Sequence, residues 1–114
     1  MRTLRLSIPL TLALALVAGI GLADDPKTPL GQWMKPNMGA AMAGQDWDTL
    51  KKSLDLVASK GAPSPAYPNW VSLAKQGSAA AAAQDLTGLK ASCKGCHDQY
   101  KANYIKDFPT KAFP

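Results

Sequence analysis

The apolar residues of this chain recur at steps of three and four from residue 30 onward, and no run of β-branched residues alternates with polar ones. Steps of three and four place side chains on one face of an α-helix, whereas a strand needs a step of two. The clearest stripe consists of Trp47, Leu50, Leu54 and Val57. The pattern therefore predicts an all-α fold and offers no segment for a β-sheet.

Capping and stop residues divide this pattern into four helices. Asp46 and Asn69 are suitable N-caps for the second and third helices, and either Asp85 or Thr87 suits the fourth. Gly61 is a stop signal, and the prolines that follow it indicate a loop. The predicted helices are Leu30–Ala43, Trp47–Lys60, Trp70–Ala83 and a last one that ends near Lys106. Four amphipathic helices with short connections predict a four-helix bundle.

The first of these helices contains an unusual residue. Thr28 followed by Pro29 is a favourable start, because proline at the first helical position loses no hydrogen bond. Pro36, however, lies inside the helix, where its ring presses on the preceding turn and its nitrogen cannot donate. We therefore expect a kink or a frayed start at Pro36.

The N-terminal segment has the features of a secretory signal peptide. Arg2 and Arg5 precede the uncharged apolar run Leu6–Leu22, which ends in small residues at Ala23. Cleavage after Ala23 would leave residues 24–114 as one domain in the periplasm. A retained membrane anchor is the alternative, although proline and glycine interrupt the run. No cysteine lies at the junction to carry a lipid.

Size and charge limit what the exported domain can be. Of the 114 residues, 91 would remain after cleavage, with 11 lysines and 8 aspartates and no glutamate or arginine. A core of this size is marginal and often depends on a disulfide, a metal or a cofactor. The positive charge is spread along the chain rather than gathered in a stripe, so we expect no nucleic-acid binding.

The strongest motif is Cys93-Lys94-Gly95-Cys96-His97, which has the C-x-x-C-H spacing of c-type haem attachment. Two cysteines three positions apart share one helix face, so both sulfurs can reach the vinyl groups of one porphyrin. The histidine that follows can bind the iron. The motif predicts one covalent haem c, with Cys93 and Cys96 as attachment residues and His97 as a metal ligand.

Three other interpretations of the two cysteines compete with haem. A disulfide between Cys93 and Cys96 would close a very short loop and stabilise little. A thiol redox site is typically preceded by a strand, and none is predicted here. A zinc site would lack a fourth ligand, because two cysteines and one histidine are all that the chain offers.

Because His97 is the only histidine, the second axial ligand of an iron would be a thioether or would be absent. Met34, Met38 and Met42 are spaced four apart on the first helix and would face the same way. Such a stripe can also serve only to fill a core. We expect a methionine to bind the iron.

In these features the chain resembles the class II cytochromes c, the cytochrome c prime family and its low-spin relatives, as a short variant. The family folds as a four-helix bundle with haem on the C-terminal helix. The likeness rests on the segment Ser92–Lys101, in which Tyr100 and Lys101 follow the histidine as an aromatic and a basic residue. It implies that Lys101 contacts a haem propionate or shields the ring, and a solvated surface charge is the alternative. The pair Met34-Lys35 resembles the sixth-ligand site of low-spin members. Met34 is therefore the first choice as ligand and Met38 the second.

The resemblance implies a one-electron carrier with His/Met haem ligation. The alternative is a five-coordinate, cytochrome c prime-like protein that binds nitric oxide or carbon monoxide. We expect no enzymatic activity, because the exported chain has no second histidine, glutamate or arginine as a distal acid or base. Partners would be redox proteins with acidic surfaces, and the resemblance allows a homodimer. The lysines that would face such partners are Lys90, Lys94, Lys101 and Lys106.

Overall fold

The computed structural model describes residues 28–114, so the signal peptide predicted at residues 1–23 lies outside the described residues. Four helical rods follow one another, and residues 28–114 contain no strand. The first rod, α1, covers 29–43 and consists of Pro29–Met34, a π-helix at Lys35–Ala40 and a last turn at Ala41–Ala43. The next two are α2 at Trp47–Lys60 and α3 at Trp70–Ala82. The fourth, α4, covers 86–107 and consists of Leu86–Cys96, a π-helix at His97–Lys101 and Ala102–Asp107.

Most of the predicted helix boundaries are confirmed, with local side-chain caps. Thr28, Asp46 and Asp85 each accept a hydrogen bond from a backbone N–H of the first turn, at 3.0 to 3.2 Å. Gly61 ends α2 with a φ of 76°, a conformation that glycine adopts without strain. The prediction that Asn69 caps α3 is wrong in one respect. Its side chain makes no capping bond and instead donates to Gln99 Oε1 of α4 at 3.1 Å.

Pro36 does not break α1, and the start of the helix is not frayed, because it runs on from Pro29 with Thr28 as its cap. A kink at Pro36 stays a prediction. The helix widens to a π-helix around it, which lets the backbone continue past a residue that cannot donate. In this region, side chains donate hydrogen bonds to backbone carbonyl oxygens. The Asn37 amide donates to Trp33 O at 2.8 Å, and Ser53 Oγ of α2 donates to Asn37 O at 3.1 Å. The second bond fastens the π-helix of α1 to α2.

The helices pack in sequence order, α2 against α3 and α3 against α4. Gly77 of α3 makes the close approach possible on both sides. A Cβ added there would lie 2.9 Å from Ser92 Oγ of α4 and 3.0 Å from Leu54 Cδ1 of α2. The π-helix and last turn of α1 pack against α2, but in the described chain no Cα of α1 comes within 8 Å of α4. An all-α fold of four helices is confirmed, and it is compatible with a helical bundle.

Two apolar clusters form the core. The aromatic cluster contains Leu30, Val57, Tyr67, Trp70, Ala74, Tyr100 and Tyr104. The aliphatic cluster contains Ala41, Leu50, Leu54, Ala80, Ala81 and Leu89. The predicted stripe of α2 contributes to both clusters through Leu50, Leu54 and Val57, while Trp47 packs against the aliphatic cluster from its edge.

Candidate functional site

Cys93 and Cys96 lie three residues apart in the regular part of α4 and are both half-buried free thiols. Cys93 packs against the aliphatic cluster and Cys96 against the aromatic cluster, so the pair spans both halves of the core. Burial raises the pKa of the Cys93 thiol. Burial and the neighbouring Cys93 raise the pKa of Cys96 to about 11. A thiol redox site needs the opposite, a lowered pKa that provides the thiolate.

His97 begins the π-helix of α4, directly after the second cysteine. Its backbone N–H is shared between the carbonyl oxygens of Cys93 and Lys94, and its side chain is exposed. Although the residue is exposed to solvent, the protein around the ring displaces part of its hydration, and this desolvation lowers the pKa of the imidazole. The nearby charge of Lys101 lowers the pKa further. The ring is thus neutral at pH 7, the form in which a nitrogen can bind a metal. Across residues 28–114, no three His, Cys or Asp side chains converge as a set of metal ligands.

The segment that carries the motif is held tightly against α3. The buried Ser92 donates from Oγ to Leu73 O at 2.6 Å, and this bond crosses between the two helices. Gly95 faces the same neighbour, since a Cβ there would lie 3.3 Å from Leu73 Cδ2. These contacts fix the rotation of α4 about its axis. The role of Ser92 had no signal in the sequence, because its partner is a backbone oxygen on another helix.

The three methionines predicted to line the site are half-buried on α1. Met34 packs against the aromatic cluster, as Cys96 does, and Met42 packs against the aliphatic cluster, as Cys93 does. Met38 touches both clusters. The structure therefore brings the methionine row and the cysteine pair to the same two clusters, from α1 and α4 respectively.

The donor chemistry of these residues fits a covalently attached haem. Two thiols for attachment and three thioethers pack against the same apolar core, and a neutral imidazole follows the second thiol directly in the chain. Each donor type is one that c-type cytochromes use for attachment or for axial ligation.

The lysines near the motif differ in whether a neighbouring aspartate compensates their charge. Lys90, Lys94, Lys101 and Lys106 are all exposed. Lys94 pairs with Asp98 at 2.5 Å, so its charge is largely balanced. Lys101 ends the π-helix of α4 and lies close enough to His97 to lower the pKa of the imidazole.

Comparison with protein-family models, with curated proteins and with solved structures finds no match to this chain. In residues 28–114, no helix has the length and apolar character needed to cross a membrane.

Proposed function

We propose that this protein is a small periplasmic monohaem c-type cytochrome of the low-spin class II type, acting as a one-electron carrier. The observation that carries the proposal is the pair of free, half-buried thiols of Cys93 and Cys96 on α4, followed directly by the sole histidine. Haem c would be held covalently by Cys93 and Cys96, with His97 as the proximal ligand. Covalent haem attachment would also supply the additional stabilisation on which a core of this size often depends.

The bound haem would supply a one-electron couple, and the chain would tune it through ligands and burial. Ser92 and the close seating of Gly95 hold the motif in one orientation on α3. The two clusters provide apolar side chains beside both cysteines. A neutral His97 binds without first losing a proton.

Met34 is proposed as the sixth ligand, with Met38 second. Met34 packs against the same aromatic cluster as Cys96, one of the two proposed attachment residues, and this shared contact supports it as the ligand. Met38 has support of its own, because it touches both clusters. A methionine opposite histidine raises the reduction potential relative to two nitrogen ligands.

One observation favours the alternative, a five-coordinate protein that binds nitric oxide or carbon monoxide. The segment Pro29–Met34, which carries the proposed ligand, has no Cα within 8 Å of any Cα in α2, α3 or α4. A methionine on a turn whose backbone does not pack closely against the other helices can leave the iron and admit a small ligand. Carbon monoxide binding to the reduced protein separates the two functions.

We propose electron transfer without catalysis, to partners with acidic surfaces around Lys90, Lys101 and Lys106. Such encounters are weak and depend on salt concentration. Lys94 contributes less than the sequence implies, because Asp98 balances its charge. Sedimentation of the holoprotein tests for the homodimer that the resemblance allows.

The test is to express the full chain in cells that mature c-type cytochromes and to isolate the exported protein. Its mass should equal that of residues 24–114 plus one haem, and its reduced spectrum should be sharp, low-spin and unchanged by carbon monoxide. Cys96→Ser should lose one thioether link, and His97→Ala should lose the low-spin spectrum. Colourless protein with two alkylatable thiols would refute the proposal.

Three matched variants identify the sixth ligand. Met34→Leu, Met38→Leu and Met42→Leu each remove one sulfur from α1 and keep a side chain of similar size. We expect Met34→Leu alone to abolish the low-spin ferric spectrum and to admit carbon monoxide. Loss in Met38→Leu instead would assign the ligand to Met38, and a low-spin spectrum retained in all three would refute methionine ligation by any one of them. A wild-type protein that is high-spin and binds carbon monoxide would favour the five-coordinate alternative.

A further inference from the structure

The chain after α4 turns back across the molecule and reaches α1. In this segment, Phe108–Pro114, the rings of Phe108 and Phe113 pack against the aromatic cluster. Phe113 also meets Trp33 of α1 edge to face, with ring centroids 4.7 Å apart and an angle of 61° between the planes. This is the geometry that aromatic pairs prefer. The C-terminal segment thus touches the residue directly before Met34.

The part of α1 that carries Trp33 and Met34 depends on side-chain contacts of this kind. The π-helix and last turn of α1 pack against α2, and Ser53 fastens Asn37 there. Pro29–Met34 has no such support, since none of its Cα atoms lies within 8 Å of a Cα in α2, α3 or α4. It is held by the buried side chain of Leu30 and by the packing of Trp33.

The C-terminal segment is held in place where it leaves α4. The Phe108 N–H donates to Tyr104 O at 2.8 Å, and Lys111 Nζ lies 5.9 Å from the centroid of the Phe108 ring. Asp107 accepts a hydrogen bond from the buried Tyr67. The start of the C-terminal segment is therefore bonded to α4 and to the α2–α3 loop. The contact between Phe113 and Trp33 couples the position of these two elements to that of α1.

We propose that Phe113 is a positioning residue for the sixth haem ligand. By packing on Trp33 it holds the turn that carries Met34 at a set position relative to α4, where the proposed haem would be attached. Loosening this contact would raise the fraction of molecules in which Met34 is not bound to the iron, and those molecules would admit small ligands. This inference rests on the proposed function, and it identifies Phe113 as the residue that controls access to the sixth coordination position of the proposed haem iron.

The experiment compares the wild-type holoprotein with Phe113→Ala, Phe113→Tyr and a control, Ile105→Ala. Ile105 is an exposed apolar residue near the same end of α4, so its loss tests for a general effect of removing apolar surface. Tyrosine keeps the ring and should restore wild-type behaviour. Should Phe113→Ala not fold, Phe113→Leu keeps the volume without the ring edge.

Two readouts are needed, one of which does not depend on haem. In Phe113→Ala we expect the amides of residues 32–34 to exchange hydrogen roughly tenfold faster, the change produced by about 1.4 kcal/mol. We expect carbon monoxide affinity to rise by a similar factor and the red absorption band of methionine-bound ferric iron to weaken. Haem content should stay the same in all four proteins.

The outcomes separate the inference from the function on which it rests. A wild-type protein without haem, or without the methionine band, refutes the proposed function or its ligation. The inference alone is overturned if the wild type contains haem with the methionine band and Phe113→Ala shows the same hydrogen exchange and the same spectrum as the wild type. Faster exchange with an unchanged spectrum also overturns it, because a loosened turn would then leave the ligand in place.

Discussion

The hydroxyl of Tyr67 donates a 2.8 Å hydrogen bond to Asp107 Oδ2, joining two residues 40 positions apart. Tyr67 lies in the proline-rich loop between α2 and α3, yet only 2% of it is exposed. Its ring packs on Trp70, Tyr100 and Phe108 at centroid distances of 5.0 to 6.0 Å. The loop is therefore part of the core, and this bond fastens it to the end of α4.

Replacing Tyr67 by Phe should lower the free energy of unfolding by about 1 kcal/mol at pH 7, since one buried hydrogen bond is lost and the ring remains. Denaturant unfolding measures the change. Tyr104→Phe is the control, because its hydroxyl makes no hydrogen bond within residues 28–114. An equal loss in both variants would show that the bond to Asp107 contributes nothing specific.

The same variant should change stability at alkaline pH. Burial, and then the bond to Asp107, raise the pKa of Tyr67 to about 12, above its ordinary value of 10.0. The contribution of Tyr67 is therefore complete below pH 10 and is lost as the pH rises from 10 towards 12. The stability difference between wild type and Tyr67→Phe should shrink over this range. A difference that stays constant would contradict the assignment.

Ser78→Ala should lower the free energy of unfolding by at most about 1 kcal/mol, because the side chain of its partner, Asp55, is 48% exposed and water screens the bond. The buried Ser78 hydroxyl of α3 donates to Asp55 Oδ1 of α2. Ser72→Ala is the control, since the Ser72 hydroxyl is exposed and bonds only within its own first turn. Thermal unfolding of both variants at pH 7 measures the difference.

Acid should remove this contribution. Hydrogen bonds from Lys51 and then Ser78 hold the pKa of Asp55 below its ordinary value of 3.8. Its stabilising effect is therefore present above pH 3.8 and is lost as the pH falls through the lower folded value. Wild type and Ser78→Ala should converge in stability below that pH. Parallel curves down to the most acidic conditions would rule this out.

Gly77→Ala should destabilise the fold by about 1 kcal/mol net, since steric strain exceeds the roughly 1 kcal/mol that alanine contributes to a helix. The added Cβ would press on Leu54 and on Ser92 Oγ, which cannot move without weakening its bond to Leu73. Gly39→Ala, where nothing lies within 4 Å of the added Cβ, should be neutral or stabilising. Urea unfolding of the pair checks this, and a stable Gly77→Ala would show that the helices can move apart.

If the proposed haem is present, Lys101→Gln should lower its midpoint potential by roughly tens of millivolts, because a nearby positive charge favours the reduced iron. Lys94→Gln removes the same charge and should have less effect, since Asp98 already balances Lys94. Redox titration at low and high salt compares the two. Equal shifts in both variants would show that Lys101 has no special relation to the iron.

Helix boundaries were largely predictable because they depend on neighbours in the chain. The α2 helix was predicted at Trp47–Lys60 with Asp46 as its cap, and both features are confirmed. The exceptions involve partners far along the sequence. Asn69 uses its side chain on Gln99, and its backbone N–H donates to the Tyr100 hydroxyl at 2.8 Å. Two partners on α4 thus outweigh a local cap that the sequence favoured.

In the candidate site, too, the local features could be predicted from the sequence and the contacts between helices could not. The spacing that places Cys93 and Cys96 on one helix face follows from helix geometry and could be read directly. Their contact with two different clusters, the bond between Ser92 and Leu73, and the meeting of Trp33 with Phe113 could not. Each of these depends on how separate helices are rotated and packed.

The amino-acid sequence by itself determined the helical periods, the capping residues, the order of the four helices and the motif at Cys93–His97, because these arise within a few turns of one segment. Only the tertiary structure decided that Tyr67 lies in the core, that Pro36 widens α1 rather than breaking it, and that the C-terminal segment supports α1. The physical reason is that burial and hydrogen bonding between distant segments are settled by the packing of whole helices. No periodicity within a single segment encodes that packing.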